Sequence, residues 1–403
     1  MSMTAQRLPE PAAIPFDSSR LDRLMDAAGI DVLVATSKHN VQYLSGGERA
    51  LFFDYMDAMG LSRYLPVFVY PKGAPGEAAY VGHRLESFQR AVAPLWVTHA
   101  ETRSNTSLDA IEKAAAAVRR AVPAARRIGV ELAFLPMDAG QALARAFPNA
   151  ELADATPVLD RQRAVKSPHE LALLRAASER VADAMMAVMA GHGPGATTRA
   201  ITDALKREEV ARGLTFEYCL ITAGSNLNRA PSDQRWEKGQ PLSLDSGGNY
   251  HGYIGDLCRM AVHGEPDAEL VDLLAKIESV QQAAMAPIRA GRLGGDIYAS
   301  AEAALARTGS REHAHFLAHG MGLVSHEAPH LTSRGPVPYP DDDARRPLEA
   351  GMVISVETTL QHPRRGFIKL EDTVAVTPAG YDIYGDRGRG WNRGGTAVTA
   401  QRG

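Results

Sequence analysis

Two domains of different build are predicted: an α/β domain over residues 1–165 and an α+β domain over residues 166–403. Three observations lead there. The chain has 403 residues, and one hydrophobic core rarely grows past roughly 250–300. Its first part alternates apolar strand-like runs with helical patterns, as α/β sheet domains do. Its second part carries two long segments, DSGGNYHGYIGD (245–256) and ETTLQHPRRGFIKLE (357–371), that each read as strand, turn and strand.

In the first part, Ser19–Ala28 reads as a helix because Leu21, Leu24 and Met25 recur at helical spacing. IDVLVAT (30–36), PVFVY (66–70), AAYVG (78–82) and RIGVEL (127–132) read as strands, with an Ala-rich helix at 108–121 between the last two. The boundary falls at RQRAVKSPHE (161–170). There Ser167 is a good N-cap, Pro168 suits the first helical position and Glu170 completes a capping box. Leu171, Leu174, Ala177 and Val181 then form one apolar face, and GHGPG (191–195) ends that helix. Two more helices are expected at 267–288 and 296–307. The Pro-rich opening MSMTAQRLPEPAAIPF is expected to be a loose arm, and the Gly/Arg-rich tail after Tyr384 a mobile terminus.

Composition narrows the function. A net charge of -3 gives no footprint for nucleic acid or an anionic membrane. Cys219 and Cys258 make no disulfide framework, which fits a reducing compartment. Cys258 reads as a small core residue. No apolar run of membrane-spanning length and no export signal is seen, so a cytoplasmic enzyme is expected.

Chemistry concentrates in the second part. If each long segment folds at its midpoint, Asp245 faces Asp256 and Glu357 faces Glu371 across a ladder. Like charges there repel, and a shared site forces a proton onto one of them. Two divalent cations would neutralise four such acids. Between the pairs lies HAHFLAHGMGLVSHEAPHL, with His313, His315, His319, His326 and His330. Imidazole with carboxylate suits Mn, Co, Fe or Zn better than Mg or Ca.

The order Asp…Asp…His…Glu…Glu, in the contexts DSGGNYHGYIGDLCR, HFLAHGMGLVSHEAP, GMVISVE and IKLEDTVAVT, resembles the pita-bread metallopeptidases. These are the methionine aminopeptidases, Xaa-Pro aminopeptidases and prolidases, with creatinase as a metal-free relative. The resemblance runs from about Lys166 to Tyr384. SKHNVQYLSG (37–46) resembles the entry segment of a creatinase-like N-terminal domain. The implied architecture is an α/β creatinase-like N-terminal domain followed by an α+β pita-bread catalytic domain, in a homodimer.

The resemblance implies two divalent ions, manganese among the candidates, on Asp245, Asp256, His319, Glu357 and Glu371. Asp256 and Glu371 would bridge them, and a hydroxide held between them would attack a peptide or amide carbonyl. It further implies that Glu357 carries protons. His326 would steady the developing negative charge, and His315 would line the cleft. Arg259 and Lys369 are the remaining substrate-binding candidates; a salt bridge that supports the strand is the other reading of Arg259.

Two departures bear on the substrate. Proline-cleaving members carry a histidine shortly before the first Asp, whereas SNLNRAPSDQRWEKGQ has none. Asn228, Arg229 and Ser232 are the candidates for its place. Lys369 stands where relatives have arginine, and the two are not equivalent where a planar fork is used. The leading expectation is a Xaa-Pro dipeptidase or aminopeptidase acting on a small peptide. The alternative is creatinase-like C–N hydrolysis, or a lyase reaction, on a small non-peptide substrate. A third reading, a metal-free binding module, is disfavoured by the intact ligand set.

Overall fold

The computed structural model describes residues 13–47, 64–335 and 339–396. The chain divides into two compact units, Met1–Arg163 and Ala164–Gly403. Most of the Pro-rich opening lies outside the described residues. Its last residue, Phe16, is buried against the rings of Tyr43, Tyr70 and Trp96.

The first unit is a six-stranded sheet in the order β4-β3-β2-β1-β5-β6. Its strands are β1 (Val32–Ala35), β2 (Val67–Pro71), β3 (Ala79–His83), β4 (His99–Ser104), β5 (Arg127–Val130) and β6 (Glu151–Asp154). Pairing is antiparallel between β1, β2 and β3 and parallel elsewhere. Helices α1 (Ser18–Ala27), α2 (Lys38–Leu44), α3 (Ser87–Val92), α4 (Ser107–Ala121) and α5 (Met137–Ala146) complete it. Ile111, Ala114 and Val118 of α4 recur at helical spacing and pack with Val67, Val69 and Val81 of the sheet.

Helix α6 (Thr156–Ala164) leads into the second unit. Helix α7 (Pro168–Gly191) begins with the predicted capping box: Ser167 and Glu170 each bind the other's backbone N–H. The remaining helices are α8 (Thr198–Ala211), α9 (Ala268–Met285) and α10 (Gly295–Thr308). The main sheet runs β12-β13-β14-β11-β10-β8. Its strands are β8 (Thr215–Ala223), β10 (Pro241–Tyr250), β11 (Tyr253–Val262), β12 (Ala314–Gly320), β13 (Val353–His362) and β14 (Gly366–Val376). A short pair, β7 (Ala196–Thr197) with β9 (Arg235–Trp236), lies apart from it. Helix α7 packs on β10 and β11, and α9 on β13 and β14. Each hairpin therefore has a helical backing and one face left for the site. Gly255 permits part of this. A Cβ there would lie 2.5 Å from the Ser178 backbone nitrogen, so only glycine lets α7 come so close.

Two expectations need correction. Asp245 does not face Asp256: it pairs with Cys258, while Asp256 pairs with Gly247. The turn is His251–Gly252, both with positive φ, one residue later than the midpoint of the segment. The two acids stay on one face but sit diagonally. Glu357 and Glu371 do pair directly. The tail is not loose over its described part. β15 (Tyr381–Tyr384) extends β14, and β16 (Asn392–Arg393) pairs with β11. The Trp391 indole donates to the Leu270 carbonyl, which fixes this stretch. Residues 397–403 lie outside the described residues.

Candidate metal centre

The two hairpins meet where Cys258 of β11 pairs with Glu371 of β14. That single pairing brings Asp245, Asp256, His319, Glu357 and Glu371, from five strands, to one cavity of about 640 Å³. Asp245, Asp256, His319 and Glu371 are all buried. One ligand atom from each of Asp256, His319 and Glu371 lies within 4.8 Å of the others. His319 Nε2 is 3.7 Å from Glu357 Oε1 and 3.7 Å from Glu371 Oε1.

Local bonds aim these groups. His319 Nδ1 lies 3.2 Å from the Gly320 carbonyl. Donation of an N–H there leaves Nε2 with its lone pair towards the acids, as in metal-ligating histidines. The Ser355 hydroxyl donates to Glu371 Oε1 at 2.8 Å. The Tyr218 hydroxyl lies beside Asp256 and favours its ionised form. Three buried atoms of the cluster, Asp256 Oδ1, His319 Nε2 and Glu371 Oε2, have no hydrogen-bond partner among the described residues, and of these Glu371 Oε2 is ion-paired to Lys369 at 2.9 Å. Buried polar atoms rarely stay unpaired without a reason such as an ion. The donor set therefore fits a divalent ion at Asp256, His319 and Glu371.

The electrostatics agree. Burial pushes the Asp245, Asp256 and Glu357 carboxyls up, and the charge of Glu371 adds to this. Burial acts on Glu371 too, but Lys369 and His319 outweigh it and hold Glu371 low. Without cations four acids so close cannot all ionise.

Two cations are already present on the Asp245 side. The Lys369 ammonium lies 2.6 Å from Asp245 Oδ2, 2.5 Å from Glu357 Oε2 and 2.9 Å from Glu371 Oε2. Burial pulls its pKa down, but the three carboxylates raise it well above the ordinary lysine value. The Arg229 guanidinium binds the same Asp245 Oδ2. Of residues 228–234, Arg229 is the one that lines the cavity. Ser232 is instead tied to Thr198 through its backbone N–H and carbonyl.

The other predicted residues divide. The His326 ring stacks on His319 with centroids 3.8 Å apart. Burial and the neighbouring His319 push its pKa down to about 4, so it is neutral near pH 7. His315, on β12, lines the same cavity. Arg259 is a correction: it does not reach substrate. It is fully buried, and its N–H groups go to Asp372 and to the carbonyls of Cys258, Glu371, Gly385 and Arg387. It is the salt bridge that supports the strands. Lys369, expected at the substrate, instead donates to Asp245 and is ion-paired to Glu357 and Glu371.

Tyr218 was missed in the sequence. Its signal is Gly247, where a Cβ would lie 2.4 Å from the Tyr218 ring. Gly247, the first glycine of DSGG, thus makes room for the aromatic ring that lies beside Asp256.

The family comparison decides the assignment. Residues 172–378 match the model of metallopeptidase family M24. The chain belongs to metallopeptidase family M24. Residues 18–165 match the creatinase/prolidase N-terminal domain. Among curated relatives, the Xaa-Pro dipeptidase of Pyrococcus horikoshii is 24% identical over 376 residues, 90% of this chain and 94% of that protein. The probable dipeptidase PepE of Mycobacterium tuberculosis is 30% identical over 233 residues, 56% of this chain and 60% of that protein. Among solved structures, a Xaa-Pro dipeptidase from Bacillus anthracis superposes with a TM-score of 0.77 at 22% identity, covering 93% of this chain and 98% of that one. The Thermotoga maritima X-Pro aminopeptidase gives a TM-score of 0.73 at 19% identity, over 92% and 99%. The fold is the two-domain creatinase-like and pita-bread architecture of M24. Family membership makes this a metallohydrolase that uses divalent metal ions, and two ions are typical of the family.

Proposed function

We propose that the chain hydrolyses the peptide bond of small peptides, Xaa-Pro dipeptides foremost. The observation that carries this is the pair of orphaned buried atoms, Asp256 Oδ1 and His319 Nε2, beside Glu357 and Glu371 in an open cavity. Asp256, His319, Glu357 and Glu371 would hold a divalent ion; Mn, Co, Zn and Fe suit the donors. Such an ion, when bound, polarises the scissile carbonyl and acidifies the attacking water. Glu357, on the cavity wall, takes the proton from that water and passes it to the leaving amine. Neutral His326 donates a hydrogen bond to the carbonyl oxygen as negative charge develops there. His315 contacts the substrate from the β12 side. The free, buried state of Cys219 and Cys258 supports a reducing location, and we place the enzyme in the cytoplasm as a homodimer. No helix among the described residues is long and apolar enough to cross a membrane.

A second reading is creatinase-like C–N hydrolysis, or a lyase reaction, on a small non-peptide substrate. Arg229 supports it, because this residue, paired with Asp245, lines the cavity where the resemblance implies a histidine in proline-cleaving members. The test is kcat/KM of the metal-loaded enzyme on Xaa-Pro dipeptides, Pro-containing tripeptides and N-substituted amino acids. Turnover confined to the last class would overturn the peptidase reading.

A further inference from the structure

We propose that Lys369 is a built-in cation of this site, and that the centre therefore binds one divalent ion per chain, on Asp256, His319, Glu357 and Glu371. This rests on the metal-centre reading above and goes beyond it in setting the count.

The first argument is position. Lys369 lies on β14 two residues before Glu371, so both point to the same face. Its ammonium touches Asp245, Glu357 and Glu371 together. Both glutamates divide their oxygens in the same way. Glu357 Oε1 and Glu371 Oε1 each lie 3.7 Å from His319 Nε2, while both Oε2 atoms lie on Lys369. Carboxylates that bridge two cations are arranged in this manner. Here one of the two cations is an ammonium.

The second argument is charge. Asp245, Asp256, Glu357 and Glu371 bring four negative charges when ionised. Lys369 and Arg229 supply two positive ones, and one divalent ion supplies the rest. A second divalent ion would leave an excess of two positive charges around the buried Lys369 ammonium, and uncompensated charge there is costly. The third argument is satisfaction. Asp245 Oδ2 already accepts from both Lys369 and Arg229, and Glu371 Oε2, though without a hydrogen bond, is ion-paired to Lys369; among the described residues of the cluster, Asp256 Oδ1 and His319 Nε2 are the buried atoms with neither. A lysine suits this use. Its ammonium is a compact point charge, whereas the arginine of relatives presents a broad planar fork.

The experiment counts ions in the full-length chain without reference to substrate. The protein is stripped with chelator, reloaded with Mn(II), desalted and measured by elemental analysis and electron paramagnetic resonance. One ion per chain with the spectrum of an isolated Mn(II) is expected. Lys369→Met should raise the count to two and give the spectrum of an exchange-coupled pair. Two ions in the natural chain overturn the proposal and leave the metallohydrolase reading intact. No bound ion overturns both. A folded Lys369→Met chain that still binds one ion also overturns the role given to the ammonium. If that variant does not fold, the count and spectrum of the natural chain decide alone.

Discussion

Asp245 and Asp256 stand on one hairpin, two residues apart in register, both buried, yet their surroundings are opposite. Asp245 is held by Lys369 and Arg229. Asp256 lies beside the Tyr218 hydroxyl, and its buried Oδ1 has no hydrogen-bond partner among the described residues. The same contrast divides the cluster into a half neutralised by the chain and a half left open beside His319. Ligand identity alone therefore does not fix how many ions a carboxylate cluster takes. Nearby cations from the chain decide which acids remain to be neutralised.

The strongest way to break this comparison is to remove one acid from each half. Asp256→Asn should abolish both ion binding and activity, because it removes a donor from the open half. Asp245→Asn should keep the ion, since its partners are Lys369 and Arg229. Titration calorimetry with Mn(II) checks both. Equal loss of binding in the two variants would show that the halves are not distinct.

A third buried acid shows what happens with no cation at all. Glu209 on α8 is fully buried and accepts from the Ser246 hydroxyl at 3.0 Å. Burial, with a smaller push from Glu217, raises its pKa from 4.5 to about 8. The folded state thus keeps a proton that the unfolded chain has lost. The resulting stability is complete below about pH 4.5 and is lost as pH rises through about 8. The loss is on the order of 5 kcal/mol at one pKa unit per 1.36 kcal/mol. Glu209→Gln should flatten this dependence and be the more stable protein above pH 8. Urea unfolding at pH 5 and pH 9 measures it, and parallel curves for the two proteins would contradict the assignment. Glu371, equally buried but beside Lys369, is held low instead.

His326 tests the open half without touching a donor. It stacks on His319 but is not among the ligand atoms. His326→Ala should therefore keep the ion and lose rate, by about 10²–10³-fold for one hydrogen bond to a developing oxyanion. Loss of the ion, or an unchanged rate, would refute its role.

Much of this was legible in the sequence. The capping box at Ser167, the helices and the two hairpins follow from local patterns, and the gathering of Asp245, Asp256, His319, Glu357 and Glu371 at one cavity from their order and contexts. The diagonal placement of Asp245 and Asp256 was not, because it depends on which residue pair makes the turn. The fates of Arg259 and Lys369 were not either. Their partners, Asp372 and Asp245, lie more than 100 residues away. Only the sheet order brings them together. The tail was misread for the same reason: its Gly/Arg composition looks solvated, yet Arg389 reaches buried Asp372 and Asn392 reaches Met260.

The smallest effect concerns Arg229. The resemblance implies a histidine in this region for proline-cleaving members, and of residues 228–234 it is Arg229 that lines the cavity. Pro231 and Ser232 do not line the cavity, and Ser232 is held against α8 by Thr198. Arg229 does line it, with its guanidinium on Asp245 and near the Phe367 ring. Arg229→His should raise kcat/KM on Xaa-Pro dipeptides, by up to about 10²-fold if a hydrogen bond to substrate is what the natural chain lacks. The ion count should stay at one, because Lys369 remains in place. Arg229→Lys separates the two roles of this residue. It keeps the positive charge on Asp245 but supplies no imidazole, so it should leave Xaa-Pro cleavage at the natural level. A natural kcat/KM of about 10⁴ M⁻¹s⁻¹ or more on Xaa-Pro dipeptides, within the range of ordinary enzymes, together with a fall in Arg229→His, would show the opposite. Arg229 would then be the residue that serves the prolyl substrate here, and its charge would be part of the peptidase site.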